Sequence, residues 1–188
     1  MTDPVAVFNE WFAEAEAAGI EAPEVMTIAT ADADGRPSAR MLLLKGADER
    51  GFTFFTGYES RKGRELADNP RAALVFYWRP LGKQVRVEGT VRKLPTEDSD
   101  AYWATRPPRS RAAAAASRQS EPIESRAALE AEFEAKLAQG EVQRPERWGG
   151  YLLEPDAIEL WVHRDDRLHE RIRFTRAREG WTSELLSP

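Results

Sequence analysis

Near the C-terminus, Asp166-Arg167-Leu168-His169-Glu170-Arg171 sets one of only two histidines between two arginines. Read as a strand, this stretch puts Arg167, His169 and Arg171 on one face and Leu168 and Ile172 on the other. Such a row sets cationic and titratable groups in front of an apolar face. Three further stretches carry related chemistry. In Ser60-Arg61-Lys62-Gly63 a helix-capping serine is followed by two cations, which oppose the helix dipole unless an anion sits there. The run Arg40-Met41-Leu42-Leu43-Leu44-Lys45 has a cation at each end. Five apart, the two fall on opposite faces of a regular strand, so one ligand meets both only across a bend or an interface. Tyr102 and Arg106 are four apart and share a helical face, with Ser110 just beyond two prolines. Two hydroxyls and a guanidinium fork suit a phosphate. Each of these signals, taken alone, is also what solvated charge leaves on an ordinary surface.

Composition narrows the chemistry. Zero cysteines among 188 residues exclude disulfides, thiolate metal sites and cysteine nucleophiles, and two histidines make a multi-histidine metal site improbable. No apolar run approaches the roughly 20 residues that span a bilayer. The start Met1-Thr2-Asp3-Pro4 leads into no basic and apolar leader, so the cytoplasm is the expected location. A net charge of −5 argues against general nucleic-acid binding. Yet Ala101–Ser120 and Gly35–Ala47 contain no Asp or Glu and several cations. An acidic protein with local cationic windows suits small phosphates better than a polyanion. There is no GxSxG elbow, Walker lysine motif or GxGxxG fingerprint.

The elements that must position these groups are legible in outline. Residues 4–18 read as a helix with Asp3 as cap and Pro4 in the first turn, and Ser60 and Pro70 bound a short second helix. A third helix follows Thr96 as its cap, and a fourth, amphipathic, runs from its cap Ser125 to Gly140. The alanine run 112–116 fits helix or loop. Strands are expected around 25–32, 39–45, 52–56, 72–78, 84–94, 151–163, 167–176 and 180–186. The nearly continuous apolar stretch Met41–Leu44 implies burial on both faces. Antiparallel strands with helices at the margins give a mainly β chain of the α+β type, residues 1–188 forming one barrel domain.

In order and spacing, "RMLLLK", "SRKGREL", "KQVRVEG", "SRQS" and "LW" followed by "RLHER" resemble the pyridoxamine 5′-phosphate oxidase family over nearly the whole chain. The resemblance implies an FMN-binding split β-barrel, a homodimer with FMN at the subunit interface, and residues 147–188 as dimerisation and active-site strands. It implies that Arg40, Met41, Leu42, Leu43, Leu44 and Lys45 line the cofactor, that Phe55 and Thr56 touch it, and that Arg61 and Lys62 hold its phosphate. Gln84, Gln119, Ser120, Trp161 and Arg171 complete that site, with Gln119 and Trp161 reaching in from the partner subunit. Lys45, Tyr102, Arg106 and Ser110 would grip a substrate phosphate. Arg167, Leu168 and His169 would lie against its pyridine ring, with Arg167 and His169 as the catalytic candidates. The implied reaction oxidises a phosphorylated B6 vitamer with O2, with no metal and no membrane or nucleic-acid partner. Three departures stand out: Phe55 where the family often has Tyr, Ala113-Ala114-Ala115 where it carries a Gly-Ala-Trp-like segment, and Val162-His163 for Gln-Gly. "FYWR", "SRQSE" and "LHERIR" also resemble the flavin oxidases of phenazine biosynthesis. A split-barrel protein that carries FMN or pyridoxal phosphate without turnover is a third reading.

Overall fold

The computed structural model describes residues 3–188; Met1 and Thr2, the first two residues of the expected domain, lie outside it. Helix α1 (Pro4–Ala17) begins as expected, the Asp3 carboxylate accepting from the Val5 amide at 3.0 Å. Its Phe8 is fully buried, with ring centroids 5.0 Å from Phe52 and 4.9 Å from Phe76. Strands β1 (Val25–Ala31) and β2 (Pro37–Leu43) form a hairpin, and β3 (Gly46–Asp48) pairs with β4 (Gly51–Gly57). Helix α2 (Arg61–Asp68) leads to β5 (Arg71–Trp78) and β6 (Lys83–Lys93). Helices α3 (Thr96–Thr105), α4 (Pro108–Ala116) and α5 (Arg126–Ala138) come next, then β7 (Trp148–Val162), β8 (Glu170–Arg176) and β9 (Trp181–Leu185). The alanine run is therefore helical. The third helix begins at Thr96 with Pro95 as its uncapped flank, so Thr96 is not the cap.

All nine strands join one antiparallel sheet in the order β2-β1-β5-β6-β7-β4-β3, with β8 on β7 and β9 on β8. The 15-residue β7 makes the sheet curl and divide. One of its edges follows β6 from Tyr151 to Val162, whereas the other pairs with β4 through residues 148–153 and with β8 through residues 157–162. Pro155, which has no amide to donate, stands in the gap between those two partners. The ladder with β6 slips between Glu88 and Gly89 at this point. A Cβ on Gly89 would lie 2.1 Å from the Glu154 carbonyl oxygen, so the bend requires glycine there.

Two expectations need correction. Met41 and Leu43 are 60% and 42% exposed, so the apolar run is not buried on both faces. β2 is an edge strand with a neighbour on β1 alone, and only Leu44 beyond it enters the core. The second correction concerns residues 166–171. The Asp166 carboxylate accepts from the Leu168 amide at 2.9 Å, Arg167 has a left-handed φ of +63°, and β8 begins only at Glu170. Arg167, His169 and Arg171 therefore do not form one strand face. Local side-chain-to-backbone bonding outcompetes the ladder here.

Candidate active site

Two groups of polar residues stand apart in the chain. The first surrounds a cavity of about 740 Å³. The end of β2 and the bend after it contribute Met41, Leu42, Leu43 and Lys45; β4 contributes Phe55 and Thr56; α3 contributes Tyr102 and Arg106; Ser110 comes from α4. The bend after Leu43, where the Lys45 amide bonds to the Thr53 carbonyl at 2.8 Å, turns Lys45 into the cavity. Arg40, Leu44, Arg61 and Lys62 do not line it: Leu44 is in the core, and the Arg40 guanidinium bonds Thr30, Ser38 and Glu65.

The cavity has an aromatic wall. Phe55 and Tyr102 stack with centroids 3.8 Å apart, and Trp148 lies 5.6 Å from Phe55. The Arg106 guanidinium sits 4.5 Å from the centre of the Trp148 ring. Burial lowers the Arg106 pKa, with the nearby Tyr102 hydroxyl opposing that, while burial first and foremost raises the pKa of Tyr102. Arg106 Nη1 is buried without a hydrogen-bond partner. A buried donor left without an acceptor is costly, and an anionic ligand would relieve it.

At one end of the cavity, α2 starts at Ser60, whose Oγ accepts from the Gly63 amide at 3.3 Å. A Cβ on Gly63 would lie 2.1 Å from the Tyr58 carbonyl oxygen, so glycine lets the helix start press against the β4 exit. Lys62, 3% exposed, donates to Thr56 Oγ1 at 2.9 Å, Ser60 Oγ at 3.2 Å and Gln119 Oε1 at 3.1 Å. All three acceptors are neutral oxygens. Burial, and then repulsion from Arg40, lower the Lys62 pKa to about 8 against the attraction of Glu65. An ammonium so placed calls for an external anion. Gln119, expected from the partner, thus reaches this site within its own chain, where it also accepts from Thr56 Oγ1 at 2.8 Å. Ser120, with φ +73°, is exposed next to it and does not line the cavity.

On the buried face of α2 lies a carboxylate to which the sequence motifs assigned no role. Glu65, 6% exposed, accepts from Thr30 Oγ1 at 2.5 Å, from Ser38 Oγ at 2.6 Å and from Arg61 Nε at 2.9 Å, with Arg40 Nη2 at 3.4 Å. Burial alone would raise its pKa, but the hydrogen bonds from Ser38, Thr30 and Arg61 and the charge of Arg40 bring it down to about 2. Its signal in the sequence is the four-residue spacing from Arg61. Trp148 was also missed. It follows a run of loop residues, and only pairing with Gly57 carries it to the cavity.

The second group lies across β6, β7 and β8, where Gln84 pairs with Trp161 and Trp161 with Arg171. Arg171 donates from Nε to the buried Glu159 at 2.9 Å and from Nη1 to the Ser187 carbonyl at 2.8 Å; Arg86 reaches the same glutamate at 3.4 Å. The His169 ring lies 4.6 Å from that of Trp161, and its Nδ1 accepts from the Arg164 amide at 3.1 Å. Nε2 is therefore the nitrogen left to donate when the ring is neutral. Arg167 and Leu168 are exposed in the turn. None of Gln84, Trp161, Arg167, Leu168, His169 and Arg171 lines the cavity.

A curled, divided antiparallel sheet with helices at its margins defines a split-barrel protein. Residues 12–139 match the profile of pyridoxamine 5′-phosphate oxidase, and residues 148–188 match the pyridoxine 5′-phosphate oxidase C-terminal dimerisation region. The chain belongs to the pyridoxamine 5′-phosphate oxidase family. It is 57% identical to the pyridoxine/pyridoxamine 5′-phosphate oxidase of Paraburkholderia phymatum, covering 99% of this chain and 89% of that one. The like-named protein of Rubrobacter xylanophilus is 53% identical, with 99% and 87% covered. Among solved structures, PhzG from Burkholderia lata 383, in complex with tetrahydrophenazine-1-carboxylic acid, superimposes with a TM-score of 0.96 at 36% identity, covering 100% and 94% of the two chains. An FMN-binding protein from Nostoc punctiforme shares the fold, with a TM-score of 0.76 at 20% identity over 95% and 96%.

Proposed function

We propose that this protein is an FMN-dependent oxidase that converts pyridoxamine 5′-phosphate or pyridoxine 5′-phosphate to pyridoxal 5′-phosphate with O2, releasing H2O2, and that it works as a homodimer. The observation that carries this reading is the meeting of Lys45, Tyr102, Arg106 and Ser110 on one cavity. Two cations and two hydroxyls against an aromatic wall suit a phosphate on a planar ring. The orphaned Arg106 Nη1 fits the same anion.

The residues also fit the cofactor, since Lys62 lacks an anionic acceptor and the start of α2 can face a phosphate. Lys62, Arg61 and the amides of the first turn of α2 would hold the FMN phosphate, with Thr56 and Gln119 beside it. When bound, FMN supplies acceptance of a hydride from the substrate carbon and its passage to O2. The chain itself binds and orients. Holding the substrate by its phosphate fixes where the reacting carbon points, a proximity effect that is worth several kcal/mol. Gln84, Trp161, Arg167, Leu168, His169 and Arg171 lie on another part of the same chain, so we assign them to the cavity of the second subunit. The exposed β2 edge, with Met41 and Leu43, supports a second chain as its cover. There His169 would lie against the pyridine ring and donate from Nε2.

The likeness to PhzG favours a second reading, an oxidase acting on a non-phosphorylated aromatic acid. The small side chains of Ala113 and Ala114 on the cavity wall are compatible with a wider ring system. Anaerobic mixing decides between them. FMN-loaded protein should lose its visible flavin absorbance on adding pyridoxamine 5′-phosphate, keep it with pyridoxamine, and regain it in air. Equal bleaching by both amines would discard the phosphate grip. Flavin that binds yet stays oxidised with either would favour the phenazine-type oxidase or a carrier.

A further inference from the structure

The network behind α2 has a composition that the flavin reading does not explain. Three cations, Arg40, Arg61 and Lys62, surround a single buried carboxylate, Glu65, which bonds two of them directly. The set carries a net charge of +2, which matches a phosphate monoester dianion. Glu65 removes one unit of the very charge that would attract that anion. A carboxylate kept so close to an anion site is unfavourable by Coulomb's law alone, so its presence calls for a compensating role.

That role follows from the three elements it joins. Arg61 belongs to α2, Arg40 and Ser38 to the edge strand β2, and Thr30 to β1. All four side chains donate to Glu65. Arg40 Nη1 donates in addition to Thr30 Oγ1 at 2.6 Å, and Arg40 Nη2 bonds to Ser38 Oγ. Without the carboxylate, two guanidinium groups near a buried ammonium would repel each other and swing toward solvent. β2, paired only to β1, would hold Arg40 loosely.

We propose that Glu65 is a positioning residue that preassembles Arg40 and Arg61 for the flavin phosphate, and that Ser38 is the bridge through which it holds Arg40. The inference rests on the flavin reading above. It makes a prediction of opposite sign to simple electrostatics. If Glu65 acted only through its charge, Glu65→Gln would bind FMN more tightly. If it positions the cations, the variant binds FMN more weakly by about tenfold, the scale of one lost charge-assisted hydrogen bond, while riboflavin affinity barely moves.

The test is equilibrium titration of apoprotein with FMN and with riboflavin, followed by quenching of flavin fluorescence, for the wild type, Glu65→Gln and Ser38→Ala. Ser38→Ala leaves every charge in place and removes only the bridge, so it serves if Glu65→Gln does not fold. The expected result is a selective loss of FMN affinity in both variants. FMN affinity unchanged or increased in Ser38→Ala, or increased in a folded Glu65→Gln, overturns the proposal. An equal loss for riboflavin and FMN would make the network merely structural and overturns it too. A wild type that does not prefer FMN over riboflavin would instead sink the flavin-phosphate reading on which it rests.

Discussion

Glu65 and Glu159 are both buried carboxylates that hold two arginines, yet they serve regions with opposite architecture. Beside α2, the β2 edge and the α3–α4 segment line a cavity within one chain; Arg106 faces it without an anionic partner, and the buried Lys62 bonds Thr56, Ser60 and Gln119 on its wall. Around Glu159, Arg86 and Arg171 lie along open strands, and the neighbouring Arg167 and Leu168 stand in solvent. In the first region Arg40 and Arg61 bond Glu65 while Lys62 and Arg106 bond no carboxylate among the described residues; in the second, Arg171 bonds Glu159. The difference teaches that the cavity and the strand residues Gln84, Trp161 and Arg171 lie in separate parts of one chain, and only under the proposed dimer arrangement do they meet.

Breaking the cavity region should have the largest effect. Arg106→Leu removes the buried guanidinium over Trp148, and kcat/KM for the phosphorylated amine should fall about 100- to 1000-fold, on the order of 3–4 kcal/mol. Activity toward pyridoxamine should change little; a matching loss there would mean that Arg106 only supports the fold. In the other region, Arg171→Ala leaves Glu159 with Arg86 alone. Stability measured by urea unfolding should drop by about 2 kcal/mol, without altering the preference for phosphorylated over free amine. A loss of that preference would merge the two regions.

The edge between them can be probed by Met41→Asp, which puts a charge on the exposed strand opposite Thr27. Self-association followed by sedimentation should weaken by about 1–2 kcal/mol. Unaltered association would place the partner elsewhere. The smallest effect is one of pH. Lys62 is charged below about 8, so FMN affinity should be full below that pH and decline by a few-fold as pH rises to 9, with riboflavin affinity flat. Between about 8 and its ordinary 10.5 the unfolded chain holds the extra proton, so the ligand-free protein should gain stability as pH rises through that window.

Local signals were readable where they depend on local physics. Asp3, Ser60 and Ser125 cap helices as expected, because an oxygen two or three residues ahead of an amide needs no distant partner. The cations after Ser60 gave the expectation of an anion site from the same local physics; in the structure Lys62 bonds three neutral oxygens and Arg61 bonds Glu65. Thr96 and the strand at 167–169 failed, since proline geometry at position 95 and the Asp166–Leu168 turn decided those boundaries instead.

What the sequence by itself determined is the set of elements, the mainly β class and the family, through motifs whose order is specific even where each alone is weak. Tertiary structure alone decided that Gln119 meets Lys62 within one chain, that Glu65 gathers residues from three elements, and that Trp161 and Arg171 stay outside the cavity. Caps and alternation are set by neighbours a few residues apart. Which groups share a pocket is set by the fork of β7 and the bend after Leu43, where residues far apart in the chain, such as Gly57 and Trp148, are brought together by pairing, and no short-range pattern records that choice.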